Sequence, residues 1–98
     1  MCGATTGGVS LDGVDVTKET VIQGVVHRAD APLAGAYVRL LDSGGEFTAE
    51  VPTSTTGQFR FFAAPGTWKL RTLAPGAQPV DRAVVADTGV TEVDVHVP

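Results

Sequence analysis

The chain has 98 residues, of which 43% are hydrophobic and 18% charged, a composition typical of one small globular domain. Eleven acidic against seven basic residues give a net charge of -4, which argues against nucleic acid or an anionic membrane as a general partner, since both bind basic surfaces. No run approaches the roughly 20 apolar residues of a transmembrane helix, and no apolar stretch of a signal peptide precedes Cys2. We therefore expect a soluble, cytoplasmic protein that neither binds nucleic acid nor enters a membrane.

Residues 1–19 are rich in Gly, Thr, Ser and Asp and show no sustained hydrophobic periodicity. This composition predicts a flexible N-terminal arm. From residue 20 to residue 98 the pattern changes to short apolar runs that are separated by turn residues, which is typical of an all-β domain.

Seven runs predict seven strands, which are TVIQGVVHR (20–28), AYVRLL (36–41), EFTAEV (46–51), GQFRFFA (57–63), TWKLRTL (67–73), PVDRAVVA (79–86) and VTEVDVHV (90–97). In the second run Ala36, Val38 and Leu40 share one face. A DSGG turn (42–45) joins this run to the third, whose predicted apolar face is Phe47, Ala49 and Val51. The seventh run alternates valines with polar residues, as a half-buried antiparallel strand does. Strands with one apolar face are buried most economically as two packed sheets, so we predict a seven-stranded antiparallel β-sandwich.

The segment FRFFAAPGTWKLR (59–71) contains a Pro-Gly pair that suits the central positions of a type II turn. A hairpin around this turn places Phe62 opposite Lys69 and Arg60 opposite Arg71. Phe59, Phe61, Trp68 and Leu70 then share the inner face, and the outer face is a basic patch that we define as Arg60, Phe62, Lys69 and Arg71.

This basic patch is a candidate binding site for an anion such as thiosulfate, for an acidic partner surface, or for Asp12 and Asp15 of the arm. Two arginines opposite each other repel by up to about 1 kcal/mol unless an anion lies between them. A cation–π contact between Phe62 and Lys69 contributes about 0.5–1 kcal/mol at an exposed site. The competing interpretation is that neighbouring carboxylates, from Glu46, Glu50 or Asp81, neutralise the arginines.

Cys2 is the only cysteine, so no internal disulfide is expected and its thiol is a candidate nucleophile. If Met1 is removed, the amine of Cys2 becomes an α-amino group with a reference pKa of about 7.7–8.0, and a neighbouring ammonium favours the nucleophilic thiolate. Two alternatives remain open. The cysteine is incidental, or its amine and thiolate together chelate a metal, for which a single terminal pair makes a poor site.

Catalytic and metal-binding patterns are scarce elsewhere in the chain. His27 and His96 fall on different predicted strands and are expected on solvent-exposed faces rather than at a metal. Ser10, Ser43 and Ser54 lie in the arm or in loops, outside any nucleophile-elbow context. We expect no cofactor, no metal and no enzymatic activity from this pattern.

The runs VIQGVV, PLAGAYVRLL, TTGQFRFF, APGTWKLRTLAPG and EVDVHV resemble the prealbumin-like carboxypeptidase-regulatory domains over roughly residues 20–97. That resemblance implies a transthyretin-like β-sandwich.

A longer stretch, LLDSGGEFTAEVPTSTTGQFRFFAAPGTWKLR, together with MCG and KETVIQG, resembles the small actinobacterial SseC-type proteins. Genes of that family tend to lie beside a thiosulfate sulfurtransferase gene, which implies a part in sulfur metabolism and a rhodanese-type partner. A non-catalytic accessory protein that carries sulfur on Cys2, or docks through it, is therefore the function we expect. The alternative is a plain β-sandwich interaction module, a monomer or a homodimer, in which the thiol has no role.

Overall fold

The structure is a computed structural model and describes residues 18–98. The described residues form nine strands and no helix: β1 (Thr20–Arg28), β2 (Ala31–Pro32), β3 (Tyr37–Leu41), β4 (Phe47–Pro52), β5 (Gln58–Phe62), β6 (Gly66–Leu73), β7 (Val80–Ala86), β8 (Gly89–Glu92) and β9 (Val95–Val97). The predicted arm lies outside the described residues except for its last two positions, and so do Cys2, Ser10, Asp12 and Asp15.

The strands form two mostly antiparallel sheets, as the sequence predicts. In the first sheet β1 pairs antiparallel with β2 and β5 and parallel with β8 and β9. The second sheet has the order β4-β3-β6-β7 and is antiparallel throughout. Buried apolar residues of both sheets form one core cluster, so the fold is an all-β sandwich.

Nine strands replace the predicted seven for two local reasons. The two-residue β2 adds a short hairpin to the end of β1, and the predicted strand 90–97 divides into β8 and β9. At the division Val93 N donates to Gln23 O at 2.8 Å. The expectation that this last strand is antiparallel is wrong, because the chain leaves β7 of the second sheet and then runs beside β1 in the same direction.

The predicted hairpin between residues 59 and 71 is also wrong. Strand β5 pairs with β1, which places Arg60 opposite Gln23, whereas β6 pairs with β3 and β7. The connection that contains Pro65 therefore crosses from one sheet to the other. Both arrangements bury Phe59 and Phe61, so the alternation of apolar residues does not distinguish a hairpin from a crossover.

The predicted inner faces are confirmed with one exception. Ala36, Val38 and Leu40 are at most 1% exposed, and Ala49 packs against the core. Phe47, which the alternation places on the same face as Ala49, is instead 61% exposed. A β-bulge after Leu40 shifts the register of β4, and a shift of one residue turns a side chain to the other face.

Two arginines connect the sheets at their margins. Arg82 of β7 donates from Nη1 to the carbonyl oxygen of Asp94, between β8 and β9, at 2.8 Å. Arg28 of β1 donates from Nη2 to the carbonyl oxygen of Pro75, in the loop after β6, at 2.8 Å, and from Nε to that of Pro98 at 3.0 Å. The bonds to Asp94 and Pro75 each join a strand of one sheet to a carbonyl group next to the other sheet, so the two arginines tie the sheets together.

Candidate functional site

The outer face of the second sheet carries a row of four charged residues, one on each strand. In the order β4-β3-β6-β7 they are Glu50, Arg39, Arg71 and Asp81, and we call this row the charge ladder. The predicted pair of Arg60 and Arg71 does not form, because the register partner of Arg71 on the neighbouring strand β3 is Arg39.

Each arginine of the charge ladder is paired with the carboxylate on its outer side. Arg39 Nε donates to Glu50 Oε1 at 2.6 Å. Arg71 donates from Nε and Nη2 to the two carboxylate oxygens of Asp81, at 2.9 and 3.0 Å. The hydrogen bond from Arg71 lowers the pKa of Asp81 below its ordinary value, and the charge of Lys69 adds to this effect. The same hydrogen bond raises the pKa of Arg71.

The charge ladder therefore follows the competing interpretation of the basic patch, in which carboxylates neutralise the arginines. Of the three predicted acids, Asp81 pairs with Arg71 of the patch, whereas Glu50 pairs with Arg39, which lies outside the patch. The ladder carries two positive and two negative charges, which leaves no net positive charge to attract an anion.

The outer face of the first sheet carries the other two residues of the predicted patch, Arg60 and Phe62. Arg60 Nε donates to Gln23 Oε1 at 3.1 Å, and Gln23 Nε2 donates to Glu92 Oε2 at 2.8 Å. These bonds join the side chains of three neighbouring strands across a glutamine that is 0% exposed. Phe62 is 59% exposed and borders a recess of about 660 Å³ that is formed with residues 18–20 and 63–65.

The structure thus divides the predicted basic patch between the two outer faces of the sandwich. Arg60 alternates with the buried Phe59 and Phe61 in the first sheet, and Arg71 lies between the buried Leu70 and Thr72 in the second. Because the core separates these faces, the predicted contact between Phe62 and Lys69 does not form.

Sequence reasoning did not identify a histidine pair on the outer face of the first sheet. His27 of β1 and His96 of β9 are register partners, and their rings stack with centroids 4.9 Å apart and planes inclined by 18°. A depression of about 370 Å³ adjoins His27 and is bordered by Asp94. The only signal for this pair is the parallel pairing of the first and last strands, which a single sequence does not reveal.

The described part of the chain holds no group of three or more His, Cys, Asp and Glu residues that could bind a metal ion. Ser54 has a structural role, because its Oγ accepts hydrogen bonds from the backbone N–H groups of Thr56 and Gln58 at 3.3 and 3.1 Å. Ser43 lies exposed in the turn between β3 and β4, where Asp42 Oδ1 accepts from the backbone of Gly44. Residues 18–98 also contain no helix that is long and apolar enough to cross a membrane.

Comparison with known proteins places the chain in a family. Residues 2–97 match the family described as protein of unknown function (DUF1416). The chain is 48% identical over 99 residues to the uncharacterized proteins Rv0814c and Rv3118 of Mycobacterium tuberculosis, with 99% of each protein covered. It is 52% identical over 86 residues to an uncharacterized protein of Mycolicibacterium smegmatis, which covers 87% of this chain and 96% of the relative. The chain therefore belongs to the DUF1416 family of proteins of unknown function.

Proposed function

We propose that this chain is a non-catalytic, cytoplasmic accessory protein of sulfur metabolism, in which Cys2 accepts a sulfane sulfur from a rhodanese-type sulfurtransferase. The observation that carries the proposal is the extent of the family match, which begins at residue 2. The segment that bears the only cysteine is therefore part of the family's shared region rather than an appendage of this chain. The resemblance to SseC-type proteins, whose genes lie near a thiosulfate sulfurtransferase gene, supplies the class of donor.

The arrangement of the sandwich supports a scaffold role. In residues 18–98 Arg39 and Arg71 form ion pairs with carboxylates, Arg60 bridges two strands, and the hydroxyl group of Ser54 closes a turn. Nucleophilic catalysis needs a nucleophile within hydrogen-bond reach of a base, and the described residues do not present that combination. In this proposal Cys2 accepts the sulfur, and the sandwich binds the sulfurtransferase.

The proposed step is one thiol–persulfide exchange. The Cys2 thiolate attacks the outer sulfur of the donor's persulfide, a new S–S bond forms at Cys2, and the S–S bond of the donor breaks. The bonding electron pair leaves on the donor's cysteine, which becomes a thiolate, so the exchange needs no additional oxidant or reductant. With Met1 removed, the adjacent α-ammonium group favours the attacking thiolate.

The test is an intact-mass spectrum of the protein before and after incubation with thiosulfate and a rhodanese. We expect loss of Met1 and a gain of one sulfur atom, and we expect Cys2→Ser to abolish the gain. A matched control moves the thiol to an exposed turn, as Cys2→Ser/Ser43→Cys, and should gain no sulfur from the enzyme. A retained Met1, a thiol that gains no sulfur, or equal loading at position 43 would contradict the proposal.

The alternative function is a protein-interaction module without thiol chemistry, and the exposure of Phe62 favours it. Phe62 is 59% exposed and borders a recess of about 660 Å³, so it offers a partner an aromatic side chain beside a concave surface. The two functions differ in their dependence on the thiol. If the Cys2→Ser variant binds the sulfurtransferase as tightly as the wild type in titration calorimetry and the wild type acquires no sulfur, the module is correct.

A further inference from the structure

The two histidines of the chain lie side by side on the outer face of the first sheet. His27 of β1 and His96 of β9 are register partners in a parallel pair, and neighbouring strands lie about 4.8 Å apart, so both side chains leave the same face at one level of the sheet. His27 is half-buried and His96 is exposed. The fold therefore brings together two imidazole rings from the first and the last strand.

The ring nitrogens of this pair are available to a ligand. Within residues 18–98 the two rings stack on each other, and neither takes part in a hydrogen bond. A neutral imidazole has one nitrogen with a lone pair, and this is the form of histidine that binds metal ions. Each neutral ring can therefore offer its lone pair to a ligand on the open face of the sheet.

The charges around the pair favour a cation. Asp94 precedes His96 by two positions, and both side chains are exposed whereas the residues between and beside them are buried, so the two point to the same face. Asp94 also borders the depression that adjoins His27. The neighbouring cation, Arg28, is bound to two backbone carbonyl groups at the margin of the sandwich. A carboxylate beside two neutral imidazoles attracts a positive ion and repels an anion.

The spacing of the rings is close to that of a chelate. Two nitrogen ligands at about 2.0–2.1 Å from a tetrahedral ion lie roughly 3.3 Å from each other. The ring centroids are 4.9 Å apart, so the gap between the rings has to close by about 1.6 Å at the nitrogens. Rotation of the two side chains achieves this without a shift of the strands, since His96 is exposed and has room to turn.

We propose that His27 and His96 form a two-imidazole site for a divalent ion of the late first-row transition metals, Cu²⁺, Ni²⁺ or Zn²⁺. Imidazole is a preferred ligand of all three ions, and Cu²⁺ binds such sites most tightly. Two imidazoles leave further coordination positions to water or to the carboxylate of Asp94. The site connects the first and the last strand of the sheet and does not use Cys2, so it stands or falls independently of sulfur transfer.

The test is a calorimetric titration with CuCl₂ of the full chain that carries Cys2→Ser, which removes the thiol as a competing ligand. We expect one Cu²⁺ per chain and an electron paramagnetic resonance spectrum with hyperfine splitting from two imidazole nitrogens. His27→Gln and His96→Gln should each weaken binding by at least about tenfold, because the second imidazole of the wild type binds intramolecularly.

The matched control is His96→Gln/Val85→His in the same background. It keeps two histidines but moves one to the second sheet, at a position that is 74% exposed, and should bind Cu²⁺ as weakly as His96→Gln. If His27→Gln is unfolded by circular dichroism, His96→Gln decides the test alone, because its side chain is exposed. Absence of Cu²⁺ binding, undiminished affinity of His96→Gln, or full affinity of the control would overturn the proposal.

Discussion

At the scale of single residues, the packing around Gly24 leaves no room for a side chain. A Cβ atom at this position would lie 1.7 Å from the carbonyl oxygen of Val93 and 3.1 Å from Cζ of Phe59. The first contact is with the backbone between β8 and β9, so the clash is relieved only if the last strand moves away from β1.

We therefore expect Gly24→Ala to lower the free energy of unfolding by about 3 kcal/mol or more. Urea unfolding followed by the fluorescence of Trp68, the single tryptophan, measures the change. The matched control is Gly44→Ala, whose Cβ would meet only Asp42 Oδ1 at 3.4 Å and which should change stability by less than about 0.5 kcal/mol. Equal midpoints for the two variants would show that the contact with Val93 does not constrain the fold.

Replacing threonine by valine should have opposite effects on stability at two buried positions, Thr72 and Thr53. Thr72 is 0% exposed and its hydroxyl has no hydrogen-bond partner among the described residues. Thr53 Oγ1 donates to Leu33 O at 2.8 Å and accepts from Ala36 N at 3.1 Å. A buried hydroxyl without a partner costs free energy, whereas one with two partners stabilises the loop that it joins.

Thr72→Val should leave stability unchanged or raise it by up to about 1 kcal/mol, because it removes the unsatisfied hydroxyl. Thr53→Val should lower stability by about 1–3 kcal/mol, because it leaves the N–H of Ala36 without that acceptor. Thermal unfolding of both variants, under one buffer condition, provides the comparison. If Thr72→Val is the more destabilising of the two, the hydrogen bonding assigned to the two hydroxyl groups is wrong.

At the scale of strands, the charge ladder predicts a pH dependence of stability. The pKa of Asp81 is lowered in the folded state by its hydrogen bond to Arg71, below the ordinary value of 3.8. A carboxyl group with a depressed folded pKa stabilises the protein above its unfolded pKa, and this contribution is lost as pH falls through the folded value. The contribution is thus complete near neutral pH and disappears between pH 3.8 and the lower folded pKa.

Urea midpoints of wild type and Asp81→Asn, measured from pH 7 downwards, test this expectation. The difference between the two should be constant at neutral pH and shrink below pH 3.8. In an Arg71→Gln background the same aspartate substitution should have a smaller effect and lose that pH dependence. A difference that persists unchanged at the lowest pH, or that survives in the Arg71→Gln background, would contradict a role for the ion pair.

The strands themselves could be predicted well from the sequence, but their partners only in part. The boundaries of β1 and the β3–β4 hairpin follow from alternation and from the DSGG turn, which are local signals. The partner of β5 does not follow, because a Pro-Gly connection permits both a hairpin and a crossover. The bulge that exposes Phe47 has no local signal of its own.

The candidate site depended on these pairings and was predicted less well than the fold. Arg60 and Arg71 were correctly placed on outward faces, since each alternates with buried residues, but they lie on opposite sides of the molecule. The His27–His96 pair arises from the parallel contact of the first and last strands. Such non-local contacts are set by the whole topology, so the local pattern of either strand does not contain them.

At the scale of the whole molecule, the two outer faces of the sandwich differ in character. The second sheet presents the charge ladder, in which the carboxylate of each ion pair neutralises its arginine. On the outer face of the first sheet Val21, Gln23 and Val25 of β1 are buried, Phe62 is exposed, and His27 and His96 stack. We therefore expect partner recognition to depend on the first sheet.

Whether Cys2 carries sulfur is measured by the intact mass of the wild-type protein after incubation with thiosulfate and a rhodanese. We expect a species without Met1 that has gained one sulfur atom, and no such species for Cys2→Ser. An unchanged mass for the wild type under conditions in which the rhodanese itself is loaded would contradict the claim.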